Sequence, residues 1–84
     1  MDYFVYLLKC SDGSFYCGIA KDLDKRLKQH NGLIKGGSIY TRSKRPVKLI
    51  YFEEYKTRSD ALKREYEIKK LSHKEKSSLK QILL

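Results

Sequence analysis

The stretch "VYLLKCSDGSFYCG", residues 5–18, predicts a β-hairpin. Apolar, β-branched and aromatic residues stand on both sides of Ser11-Asp12-Gly13, as is typical of two strands joined by a tight turn. Two turn types fit these residues. In a type I′ turn Asp12-Gly13 alone forms the loop, whereas in a three-residue loop Gly13 takes the left-handed conformation. The residues of the turn favour neither type over the other.

The turn type decides whether Tyr6 and Tyr16 meet. With the two-residue turn, Cys10 pairs with Phe15, and the tyrosines lie on opposite faces of the hairpin. With the three-residue loop, Cys10 pairs with Ser14, and the tyrosines are diagonal neighbours on one face. A shared face is compatible with packing and with chemistry.

Length and composition predict one small domain spanning residues 1–84. The chain has 84 residues, 40% of them hydrophobic, with seven tyrosines and three phenylalanines, which is typical of a folded globule. It has no apolar run of about 18 residues and no charged-then-apolar N-terminus, so we expect a cytoplasmic protein.

The positive charge predicts a polyanionic partner. Nineteen Lys and Arg against ten Asp and Glu give a formal net charge of +9. Nucleic acid fits this charge better than a membrane, because no segment is an amphipathic helix rich in large apolar residues. The charge alone also fits a solubilising surface on a general interaction protein.

The two cysteines predict neither a disulfide nor a zinc site. Cys10 and Cys17 lie on opposite faces in one hairpin register and too far apart for a bridge in the other. Together with His30 and His73 they lack any zinc-binding spacing. We expect both cysteines to be reduced and packed.

The remaining segments predict the element order β-β-α-β-α-α. "KDLDKRLKQHN" is a helix between an Asp22 N-cap and an Asn31-Gly32 C-cap. A long cationic loop, residues 32–46, precedes the strand "VKLIYFEEY". Capping boxes at residues 57–60 and 72–75 open the helices "DALKREYEIKKL" and "HKEKSSLKQILL". This order predicts an α+β fold, a small three-stranded antiparallel sheet flanked by helices.

Glu65 interrupts the apolar arc of its helix. Ala61, Leu62 and Ile68 define that arc, while Lys63, Arg64, Glu67 and Lys70 are predicted to point away. A carboxylate that faces a core needs an ionic partner or a metal. A buried salt bridge to an arginine and a functional site both satisfy this requirement.

Arg26 and His30 lie one turn apart on the first helix, beside Leu23 and Leu27. His30 alone is typical of a hydrogen-bonded residue at the boundary of the core or at a helix C-terminus. Its alignment with Arg26 favours a shared functional role.

These residues, taken together, resemble the GIY-YIG nuclease superfamily, and in particular its small stand-alone bacterial members. The positions that carry the resemblance are Tyr6, Tyr16-x-Gly18, Arg26, His30 and Glu65. "YTRSKRPVKLIYFEEY" and "ALKREYEIKKL" are also similar to characteristic segments of the family. The resemblance implies that both tyrosines face the active site, and therefore that the three-residue loop is the correct turn.

The resemblance implies a metal-dependent endonuclease. Glu65 would ligate one Mg²⁺ or Mn²⁺ ion, Tyr6 would be the base that activates water, and Tyr16 would bond water or phosphate. Since an unperturbed tyrosine is a weak base at neutral pH, Arg26 would supply the field that activates it. His30 would bind phosphate or assist proton transfer.

The expected substrate is DNA in preference to RNA, selected by structure and not by base sequence, because no helix is a dedicated major-groove reader. A protein partner would then supply target selection. The alternative is a non-catalytic module that binds DNA or RNA and retains the site geometry. Phosphate contacts are expected from the first helix and the basic loop. The residues are Lys21, Lys25, Thr41, Arg42, Lys44 and Arg45.

The sequence also departs from the family pattern. Phe4 stands where the first motif has its glycine, and by strand parity it shares the face of Tyr6, where it would narrow substrate access. Ile19 replaces a lysine found in some members. The asparagine that many active members carry near the C-terminus has no counterpart.

Overall fold

The computed structural model describes residues 2–37 and 39–79, with the side chain of Ile39 excepted. Within them the elements are β1 (Tyr3–Lys9), β2 (Phe15–Ala20), α1 (Leu23–His30), α2 (Ile39–Arg42), β3 (Lys48–Tyr55), α3 (Arg58–Lys69) and α4 (His73–Ser78). The strands form one antiparallel sheet in the order β2-β1-β3. The predicted α+β fold is confirmed, with the one-turn helix α2 as an addition inside the predicted loop.

The hairpin contains the three-residue loop. Gly13 is left-handed, with φ at +85°, and the Cys10 amide donates to the Ser14 carbonyl at 2.8 Å. This register sets Tyr6 opposite Gly18. The side chain of Asp12 accepts from the amide of Ser14 at 3.0 Å, and this contact closes the loop in the way that short polar side chains stabilise turns.

The central strand β1 is covered on both faces. Val5 and Leu7 belong to the core cluster that includes Ala61 and Ile68 of α3. Tyr6 and Leu8 belong to a second cluster, against which Leu23 and Leu27 of α1 pack. All four residues Val5–Leu8 are therefore buried. This explains why "VYLL" is apolar throughout, without the alternation of a strand that has one face in water.

The long loop is fastened to α1 and to the hairpin. The Asn31 side chain accepts from the Val47 amide at 2.7 Å and donates to the Val47 carbonyl at 3.1 Å. Arg45 Nε donates to the His30 carbonyl at 2.7 Å, satisfying a backbone acceptor at the end of the helix. A Cβ on Gly37 would lie 2.6 Å from the Gln29 carbonyl, so this approach of loop to helix requires glycine. The loop is an ordered part of the fold.

The last two helices begin where the caps predict. Thr57 caps α3 by accepting from the Asp60 amide, and Ser72 and Glu75 form a reciprocal capping box at α4. The predicted extension of α4 differs from the structure, since the helix ends at Ser78. Residues 80–84 of that prediction lie outside the described residues.

Arg64 does not point away from the sheet as predicted. Its Nε donates to both carboxylate oxygens of Glu53 on β3, each at 3.0 Å. Tyr51 and Tyr55 also donate to that carboxylate. Burial opposes ionisation of Glu53, but these three donors hold its pKa below the usual range. Arg64 therefore joins α3 to β3.

The structure also bears on the state of the cysteines and on membrane-spanning helices. Cys10 and Cys17 are free and buried, as predicted. No helix within the described ranges is long and apolar enough to cross a membrane.

Asn31→Ala tests the fastening of the loop. It removes two hydrogen bonds to the buried Val47 backbone and leaves a donor and an acceptor to find other partners. We expect the free energy of unfolding to fall by about 2 kcal/mol in urea titrations. The control Lys35→Ala changes an exposed residue of the same loop and should stay within about 0.5 kcal/mol of wild type. Equal stability of the two variants would contradict the fastening.

Candidate active site

A pocket of about 430 Å³ lies over the edge strand β2, between α1 and α3. It brings together four residues that the sequence singled out, Tyr6, Tyr16, Arg26 and Glu65. They come from β1, β2, α1 and α3, so the pocket exists only in the complete fold. Gly18 and Lys21 also line it. Phe4 does not line it, because its ring packs against Phe52 with the ring centroids 6.0 Å apart.

Tyr6 lies at the centre of this arrangement and is 2% exposed. Its phenol oxygen is 2.9 Å from His30 Nε2 and accepts from Arg26 Nε at 3.4 Å. A Cβ on Gly18 would lie 2.5 Å from that oxygen. Glycine at position 18 therefore gives the phenol its room over β2, and this is the physical reason for the glycine in the second motif.

Burial sets the acidity of Tyr6. Desolvation raises the pKa of the phenol to about 12, although the Arg26 hydrogen bond and charge lower it. Arg26 was expected to activate Tyr6, but in the free protein burial has the larger effect. The same contact raises the pKa of Arg26, against the effect of its own burial, so the guanidinium is positive at every accessible pH.

His30 lies behind Tyr6 and is completely buried. Its Nε2 faces Tyr6, and its Nδ1 is 2.9 Å from the hydroxyl of Thr41. Burial, with the charges of Arg26 and Arg45, lowers the pKa of His30 to about 4. The imidazole is neutral with both nitrogens engaged, so this geometry offers no nitrogen for the direct phosphate contact that the sequence analysis considered.

Thr41 does not lie on the predicted phosphate-binding surface. It is fully buried, and its hydroxyl contacts the His30 ring. The reason is α2, which turns Thr41 inward while its neighbours Tyr40 and Arg42 are exposed. The long loop thereby reaches Tyr6 through Thr41 and His30.

Two further predicted phosphate contacts have structural partners. Lys44 pairs with Asp12 at 3.0 Å, and its chain neighbour Arg45 is bound to the end of α1. Lys21 and Lys25, by contrast, are exposed and line a cleft with Arg26 next to the main pocket. Of the predicted cations, the exposed ones are therefore Lys25 on α1, Lys21 just before that helix, and Arg42.

Glu65 reaches the pocket from α3, with its side chain 19% exposed. Its ionic partner is Lys69 at 3.5 Å, one turn along the helix. The alternative of a buried bridge to an arginine is thus replaced by a pair with a half-exposed lysine. Such pairs contribute at most about 1 kcal/mol to stability.

A divalent ion would find one protein carboxylate here. Glu65 is the carboxylate among the described residues that line the pocket, and no group of three or more His, Cys, Asp or Glu in the described ranges could hold a metal. This donor set fits Mg²⁺ or Mn²⁺, which bind through one or two carboxylates, water and substrate phosphate. It does not fit a closed structural metal site.

The pocket includes residues that sequence reasoning missed as site residues: Tyr3, Ala20, Arg58 and Leu62. Arg58 brings another cation, and Leu62, expected in the apolar arc, is 42% exposed and lines the pocket. The signal was present in the helix periodicity, since Arg58, Leu62 and Glu65 are spaced i, i+4 and i+7. All three share one stripe of α3 that faces the pocket.

Comparison with known proteins identifies the family of the chain. The model of the GIY-YIG catalytic domain matches residues 2–78. The chain belongs to the GIY-YIG family. It is 53% identical over 78 residues to a UPF0213 protein of Staphylococcus aureus strain Mu3, which covers 92% of each chain.

Two solved structures are similar to this chain. The solution structure of UPF0213 protein BH0048 from Bacillus halodurans is 39% identical, with a TM-score of 0.58 over 94% of this chain and 82% of that one. The solution structure of EF2693 from E. faecalis is 40% identical, with a TM-score of 0.61 over 90% of this chain and 79% of that one. The names of these relatives state no activity.

The low pKa of His30 predicts acid sensitivity of the fold. Because the folded-state pKa, about 4, lies below the ordinary value of about 6.5, the unfolded chain takes up a proton first as pH falls. The free energy of unfolding is therefore unaffected by protonation of His30 above about pH 6.5. It declines as pH falls towards 4, by up to about 1.4 kcal/mol per pH unit.

Proton NMR titration of the imidazole signals, with urea melts between pH 4 and 8, measures both effects. His73→Gln identifies the signals of His30 by removing the other histidine, which is exposed, and should retain the decline. A His30 signal that titrates near pH 6.5 would contradict the prediction.

Proposed function

We propose that this GIY-YIG protein is a divalent-metal-dependent endonuclease that hydrolyses phosphodiester bonds of DNA, selecting its target by structure and not by base sequence. The observation that carries the proposal is the convergence of Tyr6, Arg26 and Glu65 on one open pocket. A phenol, a guanidinium and a carboxylate are a base, an anion-stabilising group and a metal ligand. Phosphodiester hydrolysis uses all three roles.

Arg26 holds the reacting phosphate. Its Nη1 donates to Gln29 Oε1 at 2.9 Å, which fixes the direction of the guanidinium, while its Nε faces the Tyr6 oxygen. A fixed guanidinium suits the planar, two-pronged recognition of phosphate oxygens. Lys21 and Arg58 add positive charge around the same pocket, and both favour a bound polyanion.

Tyr6 is the base, and His30 positions it. Burial raises the pKa of Tyr6 to about 12 and lowers the pKa of His30 to about 4, so both shifts favour the neutral phenol beside the neutral imidazole. His30 is therefore not the final proton acceptor. Its hydrogen bond, together with Thr41 behind it, holds the phenol oxygen at the pocket, and the phenol proton leaves through the pocket to solvent.

Glu65 is the residue that would hold the ion. Glu65 and Arg26 line the same pocket of about 430 Å³, a volume that admits phosphate and water. When bound, Mg²⁺ or Mn²⁺ polarises the phosphate and stabilises the leaving oxygen. Because Lys69 pairs with the Glu65 carboxylate, the negative charge of Glu65 is balanced in the pocket when no ion is bound.

A non-catalytic nucleic-acid-binding module is the second candidate. The observation in its favour is the raised pKa of Tyr6, because a phenol that stays protonated cannot activate water. The basic surface and the pocket would then bind DNA or RNA without cutting it. The two candidates differ in one measurable property, cleavage that depends on Tyr6.

A cleavage panel of single-stranded, duplex, flap and junction DNA with Mg²⁺ or Mn²⁺ tests the proposal. We expect a branched or partly unpaired substrate to be cut, and Tyr6→Phe and Glu65→Gln to slow cutting by about 100-fold or more. Below pH 9 the rate should rise about tenfold per pH unit, since the active form is the deprotonated phenol.

Glu67→Gln and Tyr66→Phe are the matched controls. Both change the same residue types on α3 at exposed positions outside the pocket, and both should cut like wild type. Binding of the panel without any cutting would favour the non-catalytic module. Cutting that is unchanged in Tyr6→Phe would exclude Tyr6 as the base.

Lys21 and Lys25 are expected to contact phosphates. Each contact releases counterions, so the double variant Lys21→Gln/Lys25→Gln should lower the slope of log affinity against log salt by about 2. Fluorescence anisotropy with labelled duplex DNA at several salt concentrations measures the slope. The control, Lys63→Gln/Lys74→Gln, removes two exposed lysines that do not line the pocket. An equal slope in both double variants would place the contacts elsewhere.

A further inference from the structure

An aromatic row leads out of the pocket to the protein surface. The ring centroids of Tyr6 and Tyr16 are 6.3 Å apart, and those of Tyr16 and Tyr40 are 5.8 Å apart with the ring planes inclined by 32°. Exposure rises along the row, from 2% at Tyr6 to 42% at Tyr40. The row therefore leads from the buried Tyr6 phenol in the pocket to the solvent-exposed ring of Tyr40.

Tyr40 is held in this position from two sides. Tyr16 lies beside it, and Lys44 Nζ lies 4.5 Å from its ring centroid. Lys44 is itself held by Asp12 of the hairpin loop at 3.0 Å, so the cation is fixed over the ring. An exposed aromatic ring that is fixed in advance loses little conformational entropy when a ligand stacks on it.

We propose that Tyr40 is a stacking site for one unpaired nucleobase of a DNA strand whose phosphate occupies the neighbouring pocket. The inference rests on the proposed action on nucleic acid. It adds a binding site, outside the pocket, for one base of the substrate. Base-on-aromatic stacking with a nearby cation is the usual means of binding unpaired strands. A base inside a duplex cannot stack on such a ring, because the neighbouring base pairs cover both of its faces.

Charge favours a nucleotide over other flat ligands. The chain carries +9, and Arg42, exposed and two residues from Tyr40, lies on the same short helix. Each nucleotide brings a phosphate as well as a base, so Arg42 and the Tyr40 ring offer a partner for both parts. An uncharged or acidic aromatic peptide would use the ring but not the positive charge beside it.

Tyr40 differs from Tyr66 in its position beside the pocket and not in its local partners. Tyr66 on α3 has the same i, i+4 partner, with Lys70 Nζ 4.1 Å from its ring centroid, and it is more exposed, at 62%. It does not line the pocket. Tyr66 is therefore a matched control for a generic tyrosine–lysine surface, and Tyr40 alone of the two adjoins the proposed site of cleavage.

The experiment uses single-stranded DNA that carries one 2-aminopurine at successive positions, mixed with the full chain in EDTA so that no cutting occurs. We expect quenching of fluorescence at one or two adjacent positions. Tyr40→Ala should abolish the quenching and weaken binding by about tenfold or more. Tyr40→Phe should keep both, since stacking needs the ring and not the hydroxyl, and Tyr40→Leu, which fills the same space without a π system, should lose the quenching.

The controls separate this inference from the nuclease proposal. Tyr66→Ala should behave as wild type, and a fully paired duplex should bind wild type and Tyr40→Ala equally. Position-specific quenching that depends on Tyr40, in a protein that never cuts, would support the stacking site and contradict the nuclease. Cutting without any effect of Tyr40→Ala or Tyr40→Leu, or equal losses in Tyr66→Ala, would overturn the stacking site and leave the nuclease intact.

Discussion

The close approach of the Tyr6 phenol to Gly18 is the contact on which the site and much of the fold depend. A methyl group at position 18 would lie 2.5 Å from the phenol oxygen, well inside van der Waals contact. The approach requires the hairpin register that Gly13 sets with its positive φ. Once the phenol lies over β2, His30 and Arg26 of α1 reach it, and this orients the helix over that face of the sheet. A one-residue slip would place Tyr6 on the opposite face.

The sequence predicted the elements because their signals are local. The turn glycine, the caps at Asp22, Thr57 and Ser72, and the helix periodicities each depend on residues close in the chain. The hairpin register was different, since two turn types fit the same residues, and the family resemblance favoured the type that the structure contains. The short helix α2 carries no such signal, because four residues between glycines and a proline are too few for a periodicity.

The candidate site was only partly accessible to sequence reasoning for a physical reason. Tyr6, Tyr16, Arg26 and Glu65 converge because strand parity and helix spacing put them on the faces that meet. The directions of Thr41, Lys44 and Arg45 depend instead on how the loop folds back onto α1, through contacts such as Asn31 with Val47. A count of cations in the loop carries no information about these contacts. Arg58 differs from these loop residues, because its spacing from Glu65 on α3 was visible in the sequence, although only the docking of α3 shows that this stripe faces the pocket.

For Tyr6 to act as the proposed base, the other groups of the pocket must supply the free energy of ionising its phenol. A pKa of about 12 leaves about one phenol in 10⁵ ionised at neutral pH, a penalty of about 7 kcal/mol. One additional full positive charge about 4 Å from the oxygen, at an effective dielectric of about 20, contributes about 4 kcal/mol, which is more than half of that penalty. Arg26 is already present when the pKa is about 12, and the substrate phosphate is itself negative, so in the proposed reaction the difference would have to come from the divalent ion held by Glu65 and from the loss of water that screens Arg58 and Lys21. In the proposed reaction, a buried and protonated Tyr6 would therefore be inactive towards water in the free protein and would act as a base only in a loaded pocket.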